Sequence, residues 1–275
     1  MSEWAAAPAP FVRRLLTVLG VDELGAYRVL RVADVETPEP QPGQFAMLAA
    51  AERWGGGEDE RPYLPRAFSI ARRRIGESHF LLEDVGPGTR RLCELREGDG
   101  LWALGPLGKG FSPPPPRHRA ILVGGGVGIA PLAILQDALE AGAETDVTVL
   151  LGFRDGARAR GSSLLHGAQV ATDDGSVGHH GLLTELLSKE LYRDSRAQVY
   201  ACGPAPMLEA VRAMCTTRDV PAQLALEAGM ACGFGACYGC AVPKRGGGYV
   251  RVCVDGPVID ASELEGVSEH AGAAA

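Results

Sequence analysis

The sequence predicts a chain in three parts: an antiparallel β half, sandwich or barrel; then an α/β domain with a parallel sheet; then a small cysteine-rich module. Three observations carry this reading. Between residues 11 and 112, short apolar runs are bounded at near-regular spacing by Gly, Pro or Asp, as in β sandwiches and barrels. Across 117–225 the rhythm changes to strands alternating with helical segments, which implies βαβ units. Across 226–265 it changes again, and Cys232, Cys237, Cys240 and Cys253 crowd into one glycine-rich stretch.

In the first part, FVRRLLTVLG, AYRVLRVAD, GQFAMLAA, RAFSIAR, SHFLLEDV and GLWALG read as strands. TRRLCELRE reads as one short helix, and AERWGGGEDERPYLP, dominated by glycines and charges, as an exposed loop. The Ala/Pro-rich residues 1–10 are predicted to lack order. The run from Pro113 to Pro116 lacks amide donors and favours extended geometry, so a domain boundary is placed there. A stiff surface loop within one domain is the alternative.

In the second part, RAILVGG, DVTVLLGF, QVATDDG and AQVYACG are strands, and IAPLAILQDALEAG, GLLTELLSKEL and PAPMLEAVRAMCTT are helices. Met207, Leu208, Val211, Met214 and Cys215 recur at helical spacing and read as core.

Composition removes several function classes. With 27 Lys and Arg against 34 Asp and Glu, the net charge of −7 argues against general nucleic-acid binding, which needs cations for phosphates. No apolar run approaches the roughly 20 residues that span a bilayer. The start, MSEWAAAPAPFVRR, lacks the basic-then-apolar pattern of a secretory signal, so a cytoplasmic location is expected. Thiols stay reduced there, and an odd count of 7 cysteines points to metal or redox chemistry rather than disulfides.

The cysteine spacing C-x4-C-x2-C, followed by Cys253 after twelve residues, matches the plant-type [2Fe–2S] pattern. Two sulfide-bridged irons need four thiolates on a compact centre. A short loop can supply Cys232, Cys237 and Cys240, with Gly233, Gly235 and Gly239 allowing it to turn tightly. Cys253 would come from a neighbouring strand. A structural zinc site or unligated thiols are the alternatives, although zinc sites usually carry two short cysteine knuckles.

Gly124, Gly125, Gly126 and Gly128 follow a strand and open a helix near Ile129, so backbone can approach a pyrophosphate there. The spacing is not G-x-G-x-x-G, and a plain βα turn is the alternative. Asp173 and Asp174, and then Cys202, Gly203 and Pro204, follow later strand ends, where ligands gather in open α/β sheets. The acidic pair suits NAD, because a carboxylate accepts from a ribose hydroxyl and repels a 2′-phosphate. Arg154, Arg158 and Arg160 read as an exposed, solvated loop, with phosphate binding as the other reading. His179 and His180 read as a solvated pair in a loop.

Hydride transfer moves two electrons, whereas a [2Fe–2S] centre takes one. A chain with both needs a converter, usually flavin. The β half offers two anion-friendly stretches: Arg66, Ala67, Phe68 and Ser69, and Gly86 to Thr89 opening the short helix.

Taken in order, RAFSI, GPGT, GDGLWALGPLGKGF, LVGGGVGIAPL, TDDGSVGHHG, VYACGPAPML, MACGFGACYGC and VCVDGPV resemble the electron-transfer subunit of class 1B dihydroorotate dehydrogenase, within the ferredoxin–NADP reductase superfamily. The resemblance spans residues 11 to about 265. It implies a Greek-key FAD-binding barrel, a Rossmann-like NAD domain and a terminal [2Fe–2S] module. It implies FAD contacts at Arg66, Ala67, Phe68, Ser69, Leu81, Leu82, Glu83, Gly88 and Thr89. Glu83 departs from the family, which often carries a basic residue there. Cys202 is implied near the nicotinamide, with a buried apolar thiol as the other reading. The implied path runs from an FMN-containing catalytic subunit through the cluster and FAD to NAD+, in pyrimidine biosynthesis and in a heterotetramer. Phe234, Tyr238 and Ala241 are candidates for the partner-facing surface. No general base is expected in this chain. A reductase or hydrogenase-type subunit serving another electron partner is the alternative.

Overall fold

The computed structural model describes residues 12–55, 62–142 and 145–267. Residues 1–10 and the middle of the loop expected at 51–65 lie outside the described residues. Six strands, β1 (Arg13–Leu24), β2 (Tyr27–Ala33), β3 (Phe45–Ala50), β4 (Arg66–Arg74), β5 (Glu77–Glu83) and β6 (Gly100–Leu107), close a barrel in the order β1-β2-β5-β4-β3-β6. Every neighbouring pair is antiparallel, and β6 bonds to both β1 and β3, so the choice between sandwich and barrel resolves to a barrel. The order, with β5 inserted beside β2, is of Greek-key type.

Strand alternation decides which side chains fill it. Leu16 and Val18, Leu30 and Val32, Ala46 and Leu48, Phe80 and Leu82, and Leu101 and Ala103 share one buried cluster. Residues of the opposite register serve the neighbours. Tyr27, Ala71 and Leu81 pack into the α/β domain, and Phe45, Met47 and Leu107 into the cysteine-rich side. Helix α1 (Pro87–Cys93) starts where the Thr89 hydroxyl oxygen accepts from the amides of Val85, at 2.9 Å, and Gly86, at 3.0 Å. This turn replaces the missing intrahelical partners of a helix start.

The α/β domain contains β7 (Arg119–Gly125), α2 (Ala130–Ala141), β8 (Val147–Phe153), α3 (Gly156–Ala159), β9 (Gln169–Thr172), β10 (His179–His180), α4 (Leu183–Arg193), β11 (Ala197–Cys202), α5 (Ala205–Thr217) and β12 (Ala222–Ala225). The sheet runs β10-β9-β8-β7-β11-β12, all parallel, and its winding reverses between β7 and β11. Such a reversal opens a crevice at the carboxyl ends of the strands. A 3-10 turn, Gly126–Ile129, precedes α2, so the helix expected from about Ile129 starts one residue later. His179 and His180 form a two-residue edge strand rather than a loop, and His179 Nε2 lies 2.8 Å from Glu185.

The cysteine-rich stretch contributes β13 (Ala241–Pro243), β14 (Tyr249–Arg251) and β15 (Val258–Asp260). β13 and β14 pair as a separate ribbon, whereas β15 adds antiparallel to β12. The module thus shares a sheet with the α/β domain. It is also tied to the barrel, where the Lys109 amide donates to Gly256 O at 2.5 Å.

Two measurements test this packing. At Gly108, φ is +74° and an added Cβ would lie 2.5 Å from Gly256 O, whereas at Gly98, φ is +89° and space is open. Both alanine variants carry the left-handed cost of about 1–2 kcal/mol, and urea unfolding should show a clearly larger loss for Gly108→Ala. Arg119 and Glu190 form a 2.8 Å ion pair with side chains only 10% and 12% exposed. The hydrogen bond from Arg119 holds the Glu190 carboxyl below its ordinary 4.5. Its stabilisation is therefore full above pH 4.5 and is lost as pH falls through the lower folded value. Glu190→Gln should cost about 1–3 kcal/mol at pH 7, and the difference from wild type should shrink in acid.

Candidate cofactor and electron-transfer site

A cavity of about 950 Å³ lies where the barrel meets the carboxyl ends of the parallel strands. Arg66, Ala67, Phe68 and Ser69 present one edge of β4 to it, Leu81 and Glu83 line it from β5, and Thr89 from α1. Gly88 stands directly behind Arg66: a Cβ there would meet the guanidinium Nε at 2.7 Å. Arg66 is further held by donating to Leu64 O at 2.7 Å. Leu82 does not reach the cavity; strand alternation turns it into the barrel core.

From the other side, Gly125, Gly126 and Gly128 line the cavity with Gly203 and Pro204. Gly124 lies beneath them, against Ile129, Leu132 and Leu151. Gly128 lets the loop after β7 press onto the loop after β11, because a Cβ would sit 2.6 Å from the Cys202 carbonyl. Gly126, with φ +56°, has open space above it, so its backbone is accessible to a ligand. The Cys202 thiol is buried, and burial pushes its pKa well up, so it stays protonated and inert. Asp173 lines the cavity. Asp174 instead closes an exposed turn, accepting from the Ser176 hydroxyl at 2.6 Å and amide at 2.9 Å.

Several lining residues escaped the sequence reading. Arg154 and Arg158 belong to the wall rather than to a solvated loop. Arg158 reaches across to the barrel, with its Nε 3.0 Å from Glu83. The charge departure at Glu83 is therefore answered by a cation from the α/β domain. Tyr27 also lines the cavity, and its buried hydroxyl has no partner. The segment from Leu226 to Ala231 forms the floor and includes Glu227, whose carboxyl is pushed up by burial.

That floor runs straight into Cys232. The four cysteines gather as two pairs. Cys240 and Cys253 sulfurs are 3.2 Å apart and buried. The Cys232 and Cys237 thiols hydrogen-bond to each other. Burial raises the Cys232 pKa, but the amides of Cys237, Phe234 and Ala236 outweigh it and bring it down to about 6. Gly233 and Gly235, at φ +79° and +86°, turn the loop so that those amides face inward. A Cβ on Gly233 would lie 2.5 Å from Met47 of the barrel, so the loop is pressed onto β3. Arg251 braces its other side, 3.4 Å from Gly235 O and stacked 5.3 Å from the Tyr238 ring.

Among the described residues, no three His, Cys, Asp or Glu side chains meet as a single-ion site would require. Two thiol pairs joined by one loop suit a two-iron group, with two thiolates for each metal, better than one tetrahedral zinc. Cys237 is exposed on the outer face, flanked by Phe234, 48% exposed, and Tyr238, 62% exposed. No helix among the described residues is long and apolar enough to cross a membrane.

Residues 227–265 match the iron–sulfur cluster binding domain of dihydroorotate dehydrogenase B, and residues 122–213 match an oxidoreductase NAD-binding domain. The chain is similar to a chain of an NADH-dependent reduced ferredoxin-NADP oxidoreductase, at 26% identity and a TM-score of 0.77, covering 92% of this chain and 90% of that one. It shares its fold with a ferredoxin reductase of carbazole 1,9a-dioxygenase, at 22% identity and a TM-score of 0.66, over 78% of this chain and 68% of that one. The dihydroorotate dehydrogenase B (NAD(+)) electron transfer subunit of Caldanaerobacter subterraneus is 37% identical, over 82% of this chain and 87% of its own. That of Desulforamulus reducens is 38% identical, over 79% of this chain and 84% of its own. With identity at this level over most of both chains, and with both domain matches, this chain belongs to the family of dihydroorotate dehydrogenase B electron transfer subunits.

Proposed function

We propose that this chain carries electrons from a partner subunit that oxidises dihydroorotate to NAD+, in the cytoplasm and in pyrimidine biosynthesis. The partner is the FMN-containing catalytic chain, and the assembly is a heterotetramer of two chains of each kind. The observation that carries the reading is the floor segment: residues 226–231 line the cavity and Cys232 follows at once. One stretch of backbone thus joins the cofactor cavity to the paired thiols.

The residues fit three groups. Arg66, Ala67, Phe68, Ser69, Leu81, Glu83 and Thr89 would hold FAD on the barrel side, with Gly88 and Leu82 supporting them from behind. Gly125, Gly126, Gly128, Asp173, Gly203 and Pro204 would hold NAD. Gly124 and Cys202 would support that wall from beneath. Cys232, Cys237, Cys240 and Cys253 would hold the [2Fe–2S] cluster. When bound, these groups supply one-electron exchange at iron, hydride exchange at nicotinamide, and a flavin able to do both.

The protein's own work is placement. The barrel strand β4 and the loops after β7 and β11 face each other across the cavity, so two ring systems bound there are brought together rather than left to diffuse. Burial keeps Cys202 protonated, so no thiolate competes as a nucleophile beside the nicotinamide. The loop amides that already favour a Cys232 thiolate would do the same for metal-bound sulfur. The exposed Phe234 and Tyr238 rings, with Ala241 behind them, put an apolar face over the thiols for the partner to cover.

Reconstitution with the catalytic subunit should give dihydroorotate-dependent NAD+ reduction; none with FAD and iron fully loaded would reject this partner in favour of another. The purified chain should be yellow-brown, with releasable FAD and about two irons. Cys253→Ser should remove most of the iron and its visible absorbance while leaving FAD in place, read by metal analysis and flavin release. Gly88→Ala should push Arg66 aside and weaken flavin retention by about tenfold, read by flavin release on dilution, whereas iron content should hold.

A further inference from the structure

The strand ends of the α/β domain carry more charge than a dinucleotide site requires. Arg158 is bound at several points. Its amide donates to Asp155 Oδ1 at 2.9 Å, its Nη1 lies 2.6 Å from Asp155 Oδ2, and its Nε and Nη2 each lie 3.0 Å from Glu83 Oε1. The two carboxylates come from different domains. The neighbouring backbone is fixed as well: the Ala26 amide of the barrel donates to Ala157 O at 3.2 Å, and Gly161 packs against the Tyr27 ring. The guanidinium is therefore held at the junction rather than waving in solvent.

Its place matters because β8 is the second parallel strand of the domain in chain order. In dinucleotide folds the residues just past that strand meet the adenosine ribose: an acid there accepts from the 2′-hydroxyl, and an arginine there receives a 2′-phosphate. Arg154 and Asp155 stand just past β8, and their loop is bonded to the loop carrying Asp173, whose amide donates to Phe153 O at 3.0 Å. The charges that face this corner are Glu83 from β5, Arg154, Asp155 and Arg158 from the loop after β8, and Asp173 from the loop after β9. Three carboxylates against two guanidinium groups leave it at −1. A 2′-phosphate would bring a further charge of about −1.5 to −2. Tyr27 adds a buried hydroxyl without a partner, a group that a sugar hydroxyl can satisfy.

We infer that the Glu83–Arg158–Asp155 ion triad, joining barrel to nucleotide domain, sets the preference for a dinucleotide without a 2′-phosphate by withholding Arg158. The inference rests on NAD binding in this cavity, as proposed above. With both carboxylates neutralised, two guanidinium groups face only Asp173, and the corner turns to +1.

The test uses the chain loaded with FAD and cluster, titrated calorimetrically with NAD+ and with NADP+. In E83Q/D155N, NADP+ should gain about tenfold or more in affinity relative to NAD+. The gain should shrink in high salt and disappear when R158Q is added. D155N alone keeps a good N-cap for α3 and should show the same change at smaller size, which covers a folding failure of the double variant. An unchanged NADP+ to NAD+ ratio in variants that still bind NAD+ overturns the triad's role, as does a gain that survives R158Q. Loss of FAD with the ratio unchanged also overturns it and assigns the triad to the flavin. Wild-type protein that binds no NAD+ at all would bring down the functional reading itself.

Discussion

The stretch from Leu226 to Cys232 has to satisfy two sites at once. It leaves β12 at the carboxyl edge of the sheet, where ligands gather, and within a few residues it must begin a loop tight enough to bring thiols together. Both ends are fixed. The Leu226 amide donates to Pro257 O at 2.9 Å, and Gly233 is seated on Met47. The barrel, the parallel sheet and the cysteine loop therefore meet along one short strip of backbone. β15 makes the same point from the other end of the module, because it returns the chain to β12 after Cys253. A cluster loop on a flexible tether would have cost entropy at each docking event; here the sheet absorbs that cost during folding.

Charge is handled differently on the two sides of this strip. Around the thiols the dominant groups are backbone amides, which favour anionic sulfur and demand glycine at positions of positive φ. In the nucleotide half the dominant groups are side-chain ions held in pairs. Paired ions that are partly exposed contribute little to stability. Their persistence at a domain junction and in a cavity wall points to recognition. Arg158 is in this respect unlike Arg119, whose buried pairing with Glu190 ties β7 to α4 far from the cavity.

Much of this was legible in the sequence, and the reasons are local. Strand rhythm, the GGGVG turn and the cysteine spacing each express a constraint that operates over a few residues. Alternation also explains why Leu82 was placed in the cavity stretch although it faces the barrel core: Leu81 and Glu83 on either side of it look outward, and a linear motif carries no side. The TDDG turn has the same ambiguity. Asp173 and Asp174 are neighbours in sequence, yet the turn spends Asp174 on Ser176 and leaves Asp173 to the cavity.

The contacts that were not legible join residues far apart in the chain. Arg158 lies 75 residues from Glu83, and nothing in FRDGARAR says which of its arginines will turn toward the barrel. What distinguishes Arg158 is geometry: Asp155 caps α3, and the first turn of that helix carries the residue three positions later toward β5. A local cap thus aims a long-range ion pair. The clue available in the sequence was the pair of anomalies, a carboxylate where the family prefers a cation and an excess of arginines after the second parallel strand. Each is unremarkable by itself, and only the closed barrel packed against the sheet makes them one feature.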